Sequence, residues 1–296
     1  MMSFRSFLSE TEVLPSKRQS ITHLYDMKPA EFVSWLKSIK TTANGVLKDH
    51  KVVMKVDGLG GRFGKNLDGK IFFEGSRTGP IFDPGAFSQF ARNRDSAEEL
   101  VQRAMHYDDM LELFQKSKIA KSLPVDTKIV CEVFYNPIAQ QKEDGIVFVT
   151  VKYDRSKLGS IMTVLPYTVL VASTGKEHPD KESIKTNLLA NSSDEIKVID
   201  PNLNLSSIDI SAFINPIESI SNMEILQSRK NVDKEEKASL LALIQKVKLD
   251  LTQYLLEHPG IEDKFKLGSN IEGIVLHINN NPYKLITSSF KEAHKK

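Results

Sequence analysis

The chain reads as an α+β protein, with mainly antiparallel sheets flanked by helices, on three features of its sequence. Short β-branched and aromatic runs crowd the middle of the chain between Lys128 and Ala172, and such turn-bounded runs form strands. Turn residues at Asp68-Gly69 and Asn279–Pro282 join neighbouring runs, the first with the chemistry of a hairpin. Helical periodicity is confined to a few blocks and does not alternate regularly with strands, which argues against a doubly wound parallel sheet.

Taken in order, residues 1–25 are polar and mixed, with Pro15 and a Lys17-Arg18 pair, and are expected to form an N-terminal arm. One domain is expected over 26–296. It opens with a helix from Met27 to Ile39, since Phe32, Trp35, Leu36 and Ile39 recur at three- and four-residue spacing behind Asp26 and Pro29. Val52–Met54 suits a buried strand that delivers Lys55 at its end. The glycine-rich Leu59–Gly64 reads either as a flexible loop or as backbone that a nucleotide approaches closely; the neighbouring lysine favours the second. A strand follows at Lys70–Glu74.

Ser96–Lys118 is periodic, with Leu100, Ala104, Met110, Leu111 and Phe114 on its apolar side. Strands are expected at Lys128–Phe134, ended by Asn136-Pro137, and at Gly145–Tyr153 and Ile161–Ala172. Residues 173–268 differ in character and read as a helical insertion packed on the core. Their clearest helix runs from Lys234 to His258, with Asp233 and Glu236 as a capping pair and Leu240, Ile244, Val247, Leu251 and Leu255 on one face. A nucleic-acid-binding lobe is the alternative, but its lysines alternate with glutamates as on an ordinary solvated face. Ile271–Ile278 and Tyr283–Thr287 read as the last strands.

Composition sets outer limits. A chain of 296 residues that is 40% hydrophobic can build a substantial core, as one large domain or two small ones. Forty Lys and Arg against 38 Asp and Glu leave a charge of +2, which neither demands nor excludes nucleic acid. The single cysteine, Cys131, rules out an internal disulfide and a cysteine-based zinc site. A soluble protein of a reducing cytoplasm is expected, the host's cytoplasm if the chain is viral. No apolar run reaches the roughly 20 residues of a membrane span, and the first residues make no signal peptide.

The stretch that carries chemistry is Lys55-Val56-Asp57-Gly58. After it come Ser76-Arg77-Thr78-Gly79, Glu132 within Cys131–Phe134, Tyr153-Asp154, Glu272 within Glu272–Leu276, and Lys284–Phe290. In this order the series resembles the collinear motifs of the covalent nucleotidyltransferase superfamily, which holds ATP-dependent RNA ligases, DNA ligases and mRNA-capping guanylyltransferases. Ligase-like proteins of tailed phages are a weaker resemblance. The resemblance implies a ligase adenylation-domain fold, ATP with Mg²⁺ or Mn²⁺ as cofactors, and nucleic acid as partner, RNA ahead of DNA.

It also implies roles. Lys55 would attack the α-phosphorus and become lysyl-AMP. An amine must be unprotonated to do so, although free lysine titrates at about 10.4, and nearby positive charge with partial desolvation is what makes a lysine fit for the task. Glu272 would be the metal-side carboxylate, and Glu132 would contact the ribose or a metal-bound water, as hard oxygen ligands suit Mg²⁺ beside phosphates. Arg77 would contact sugar or the incoming strand, Tyr153 would stack on the base, and Lys284 would hold the α-phosphate. Asp57, Gly58, Arg62 and Lys291 complete the expected nucleotide contacts.

Two positions depart from the family pattern. Its common arginine falls on Gly60, with Arg62 two residues later, and the second lysine of the last motif falls on Ile286, which leaves Lys291 as the substitute. Both touch phosphate or ribose contacts and bear on catalytic competence. No C-terminal OB domain is expected after Phe290. The function expected is RNA ligation through lysyl-AMP, with a minimal DNA ligase or a catalytically weakened binding or phage structural protein as alternatives.

Overall fold

The protein is described from a computed structural model that covers residues 22–24, 27–43, 45–47, 50–56, 58–75, 78–93, 98–136, 158, 161–203, 207–218, 234–258, 272–278 and 281–286. In chain order the elements are β1 (Thr22–His23), α1 (Pro29–Ala43), β2 (Val46–Leu47), β3 (His50–Lys55), β4 (Leu59–Lys65), β5 (Ile71–Gly75), α2 (Ala86–Arg92), α3 (Glu98–Lys116), α4 (Lys118–Ser122) and β6 (Thr127–Tyr135). They continue with β7 (Met162–Val171), α5 (Lys181–Ala190), β8 (Ile196–Val198), β9 (Ile208–Asp209), α6 (Ser211–Glu218), α7 (Lys234–Leu256), β10 (Gly273–Ile278) and β11 (Asn281–Ile286). The strands form sheets in the orders β1-β11-β10-β3 and β5-β4-β6-β7-β8, with a ribbon of β2 and β9. Pairing is antiparallel except for β1 with β11 and β8 with β7. The fold is α+β, mainly antiparallel and flanked by helices. The expected strand at 145–153 lies outside the described residues.

By contacts the chain divides into two compact units, one taking in residues 56–201 and the other residues 19–55 and 202–296. In the first, Phe63, Phe73, Ile129, Cys131 and Val133 line one face of the five-stranded sheet and share a core with Phe87 and Ala91 of α2, Met110, Leu111 and Phe114 of α3, and Ile184 and Leu188 of α5. The other face of β4, β5 and β6 carries Gly60, Arg62, Glu74, Lys128 and Glu132, because alternate residues of a strand point to opposite sides. Asp108, buried, ties α3 to α2 by accepting from the backbone N–H groups of Phe87 (3.0 Å) and Ser88 (2.9 Å). Leu100 is exposed and Val101 buried in its place: Val101, Ala104 and Leu111 keep the helical stripe, and Leu100 lies about 100° of helix turn away from Val101.

The hairpin β4–β5 closes as its turn chemistry predicts, with Gly69 in the left-handed region at φ 76. The glycine-rich segment is no loop over most of its length; it is β4 itself. A Cβ at Gly61 would stand 2.6 Å from Cε2 of the buried Phe73 ring, and one at Gly64 would collide with the Phe72 ring and the Thr127 carbonyl oxygen. These two glycines make room for phenylalanines of the neighbouring strand.

In the second unit, Met54, Val52, Ile274, Leu276 and Leu285 share one buried face of the four-stranded sheet. The unit's core also buries Phe32, Leu36 and Ile39 of α1, and Ile244, Val247, Leu251 and Leu255 of α7. Lys248 departs from the solvated face expected of this helix: it is 3% exposed, donates to the Met27 carbonyl and lies 5.5 Å above the Phe32 ring. A buried ammonium needs such partners, and both come from Met27 and Phe32, far away in the chain. Among the described residues no helix is long and apolar enough to cross a membrane.

Gly61→Ala should lower stability by about 1–3 kcal/mol, because the added methyl must displace a core ring; the shift in urea midpoint measures it. His277 gives a pH dependence. Burial, with the Lys51 charge adding to it, holds its imidazole below the ordinary histidine value of about 6.5. Above that value neither folded nor unfolded chain binds the proton. Below it the unfolded chain takes up a proton that the folded chain refuses, so stability falls with pH. His277→Gln should lessen the loss seen between about pH 7.5 and 5.5 in the same measurement.

Candidate active site

The site is built on the face of the second unit's four-stranded sheet opposite the one that carries Met54, Ile274 and Leu285. Lys55 is the last residue of β3 and stands opposite Gly273, which in turn stands opposite Ile286. One step along, Val53, Val275 and Lys284 form the next row on the same face. Glu272 immediately precedes β10, and its side chain is only 5% exposed. Lys55 donates from Nζ to Glu272 Oε2 at 2.7 Å, and Lys284 Nζ lies 2.6 Å from Glu272 Oε1. One carboxylate thus holds two lysines, one on each oxygen, whose side chains keep 21% and 18% of their exposure.

Gly273 makes this possible. A Cβ there would run into the Leu285 carbonyl oxygen and stand 2.9 Å from the Ile286 Cα. Any side chain at 273 would force β10 from β11, and with them Glu272 from Lys284. Ile286 occupies, beside this glycine, the place where the family pattern expects a lysine.

Other expected residues lie in the first unit. Arg62 on β4 stands directly opposite Glu74 on β5, and its Nη1 donates to Glu74 Oε1 at 2.8 Å. Lys128 Nζ reaches the other oxygen, Oε2, at 3.2 Å. Glu132 stands opposite Gly60, its carboxylate oxygens 3.7 and 3.9 Å from where a Cβ of Gly60 would be. Arg62 lies two residues from Gly60, on the same face of the strand, so the displaced arginine keeps its side of the sheet. Gly58 packs under the Val133 carbonyl, 2.9 Å from the position of a Cβ. Asp57, Arg77, Tyr153 and Lys291 lie outside the described residues.

Lys55, Glu272 and Lys284 are therefore brought together, and Arg62 and Glu132 share a face of the other sheet. Glu74 and Lys128 were not singled out by the sequence. Counting back from the Asp68-Gly69 turn places Glu74 opposite Arg62 and could have found the first; Lys128 needed the β4–β6 register. Cys131 is buried with its thiol pushed up out of reach of ionisation by desolvation and by Glu132 beside it, so it is no nucleophile.

No family model matches the chain, and no curated protein matches it. Among solved structures it is similar to an RNA ligase of Naegleria gruberi. One structure of a variant with ATP and Mn is 12% identical, with a TM-score of 0.41, over 91% of this chain and 57% of that one. A variant without ligands is 13% identical, also at 0.41, over 93% and 58%; one with AMP and Mn is 13% identical, at 0.38, over 93% and 58%. The chain spans less than three fifths of the length of these structures.

Glu272→Gln should cost about 2 kcal/mol in a urea titration, since two lysines would then face one neutral amide; their partial exposure keeps the loss below that of a fully buried pair. A variant as stable as the parent would show that the carboxylate does not hold them.

Proposed function

We propose that the protein is an ATP-dependent polynucleotide ligase of the covalent nucleotidyltransferase type, acting on RNA, with Lys55 as the residue that carries AMP. The observation that supports this most is the pairing of Lys55 and Lys284 on the two oxygens of Glu272, three residues that the motif order assigns to nucleophile, phosphate holder and metal-side carboxylate.

The chemistry follows from that arrangement. The Lys55 amine attacks the α-phosphorus of ATP; the N–P bond forms as the bond to the bridging oxygen breaks, and pyrophosphate leaves. The ammonium proton must go first, and Glu272 Oε2, 2.7 Å away, is within reach to accept it. Lys284 keeps its bond to Oε1 and offers positive charge to the α-phosphate oxygens as negative charge builds on them. AMP then passes to a 5′-phosphate, and a 3′-hydroxyl displaces it to seal the strand.

Mg²⁺ or Mn²⁺ fits Glu272 as a hard carboxylate donor. Among the described residues no group of three His, Cys, Asp or Glu forms a cage, and a nucleotide-carried cation requires only one or two protein carboxylates, its phosphates supplying other ligands. Glu272 would hold the cation, and Glu132 is proposed separately, on the motif order, as a contact to the ribose or a metal-bound water. When bound, the cation neutralises phosphate charge. Asp57, Gly58, Arg62, Arg77, Tyr153 and Lys291 are proposed as nucleotide contacts on the motif order. Sealing of nicked DNA is the neighbouring reading for the same chemistry. Ile286 favours a further one, a weakened ligase-fold binding protein, because it replaces a cationic contact with an apolar side chain.

Incubation with α-labelled ATP and Mg²⁺ or Mn²⁺, without nucleic acid, followed by a denaturing gel, tests the reading. Wild-type chain should carry label and Lys55→Ala should carry none. Label from GTP alone would redirect the reading to capping, and no label from folded protein with either nucleotide and either metal would favour the binding protein. Ligation of labelled RNA and of nicked DNA then separates the two substrates.

A further inference from the structure

Both oxygens of Glu272 carry an ammonium group. Oε2 accepts from Lys55 at 2.7 Å and Oε1 lies 2.6 Å from Lys284 Nζ, and the side chain that holds them is 5% exposed. A carboxylate has about four lone-pair sites, so shape alone leaves room for a further cation. The charges do not. A divalent ion added here would join two lysine charges around a single carboxylate, at a depth where like charges are weakly screened. Among the described residues no group of three His, Cys, Asp or Glu adds negative charge to balance it.

A divalent ion and an ammonium group therefore compete for this carboxylate, and Lys55 is the one that yields. Lys284 lies inside β11, paired with β10 on one side and with β1 on the other. Lys55 ends β3 and, on the ligase reading given above, leaves Glu272 for the α-phosphorus. We propose that Lys55 bars Glu272 to a divalent cation until the phosphates of a nucleotide take up its ammonium group, so that cation and nucleotide bind here together. Each then strengthens the other by the same factor, as linkage requires. The phosphates serve both partners, because their anionic oxygens receive the displaced lysine and supply further ligands to the ion. The nucleotide half of this proposal rests on the ligase reading; the barring of the ion rests on the two bonds to Glu272 alone.

The test is equilibrium binding of Mn²⁺ to the full chain without nucleotide, with the free ion read from its electron paramagnetic resonance signal. Lys55→Met should bind the ion about tenfold more tightly than wild type, a coupling of ordinary size, and Glu272→Gln added to Lys55→Met should remove that gain. Lys51→Met controls for charge alone. Lys51 is exposed on the same face of β3, two rows from Lys55, and its loss should change binding by no more than about twofold, the scatter of an independent site. In a second arm the non-reacting α,β-methylene analogue of ATP is titrated with and without Mn²⁺, the ion's own affinity for the analogue being allowed for. Mn²⁺ should tighten its binding to wild type about tenfold and to Lys55→Met by less. Wild type that binds Mn²⁺ as tightly as Lys55→Met, a gain that survives Glu272→Gln, or an equal gain in Lys51→Met would overturn the proposal. If Lys55→Met does not fold, Lys55→Ala should shift Mn²⁺ binding in the same direction. The first arm contains no nucleotide, so it decides whether Lys55 bars the ion even where the analogue does not bind or Lys55 takes no label, results that count against the ligase reading instead.

Discussion

The arrangement of the candidate site depends on one buried carboxylate. Glu272 sits at the mouth of β10 between two strands that each present a lysine. A carboxylate that deep is costly to ionise without partners, and two ammonium groups are costly to hold close without a carboxylate between them. Each group therefore makes the others tolerable. Lys55, at a strand end, is thereby held at a defined point beside a carboxylate and a second ammonium.

The sheet supports this through an absence of side chains. Gly273 lies in the row between Lys55 and Ile286, and the β10–β11 backbones close on each other where its Cβ would be. In the other unit, Gly61 and Gly64 yield their places to Phe73 and Phe72, which anchors β4 in the sheet, and β4 carries Arg62. Glycine has a structural duty in both sheets, and in both it decides where a charged neighbour stands. Only Gly60, under the Glu132 carboxylate without a close clash, keeps the openness that a glycine-rich run suggests.

Each unit thus carries a carboxylate that divides its two oxygens between two cations, Glu272 with Lys55 and Lys284, and Glu74 with Arg62 and Lys128. The shared pattern has a shared physical effect. Bridging fixes long, flexible side chains in advance of any ligand, so that binding does not have to order them.

Much of the fold was legible in the sequence, because local patterns report local structure. The stripe of Phe32, Trp35, Leu36 and Ile39 defined α1, Asp68-Gly69 defined the β4–β5 turn, and β-branched runs defined β3, β6 and β7. Lys55, Glu272 and Lys284 were legible as candidates by type and order. Their meeting was not, since 217 residues separate Lys55 from Glu272 and only the register of β3, β10 and β11 sets the distance. The short elements β8, β9, α2 and α6 were missed because their periodic signal is too brief. The Glu74–Lys128 pair was missed because each reads as an ordinary strand residue until the strands align. Sequence by itself determined which elements form and which residues are chemically capable, through backbone preference and side-chain type. Tertiary structure alone decided which of those residues share a carboxylate, because that depends on pairing between strands far apart in the chain.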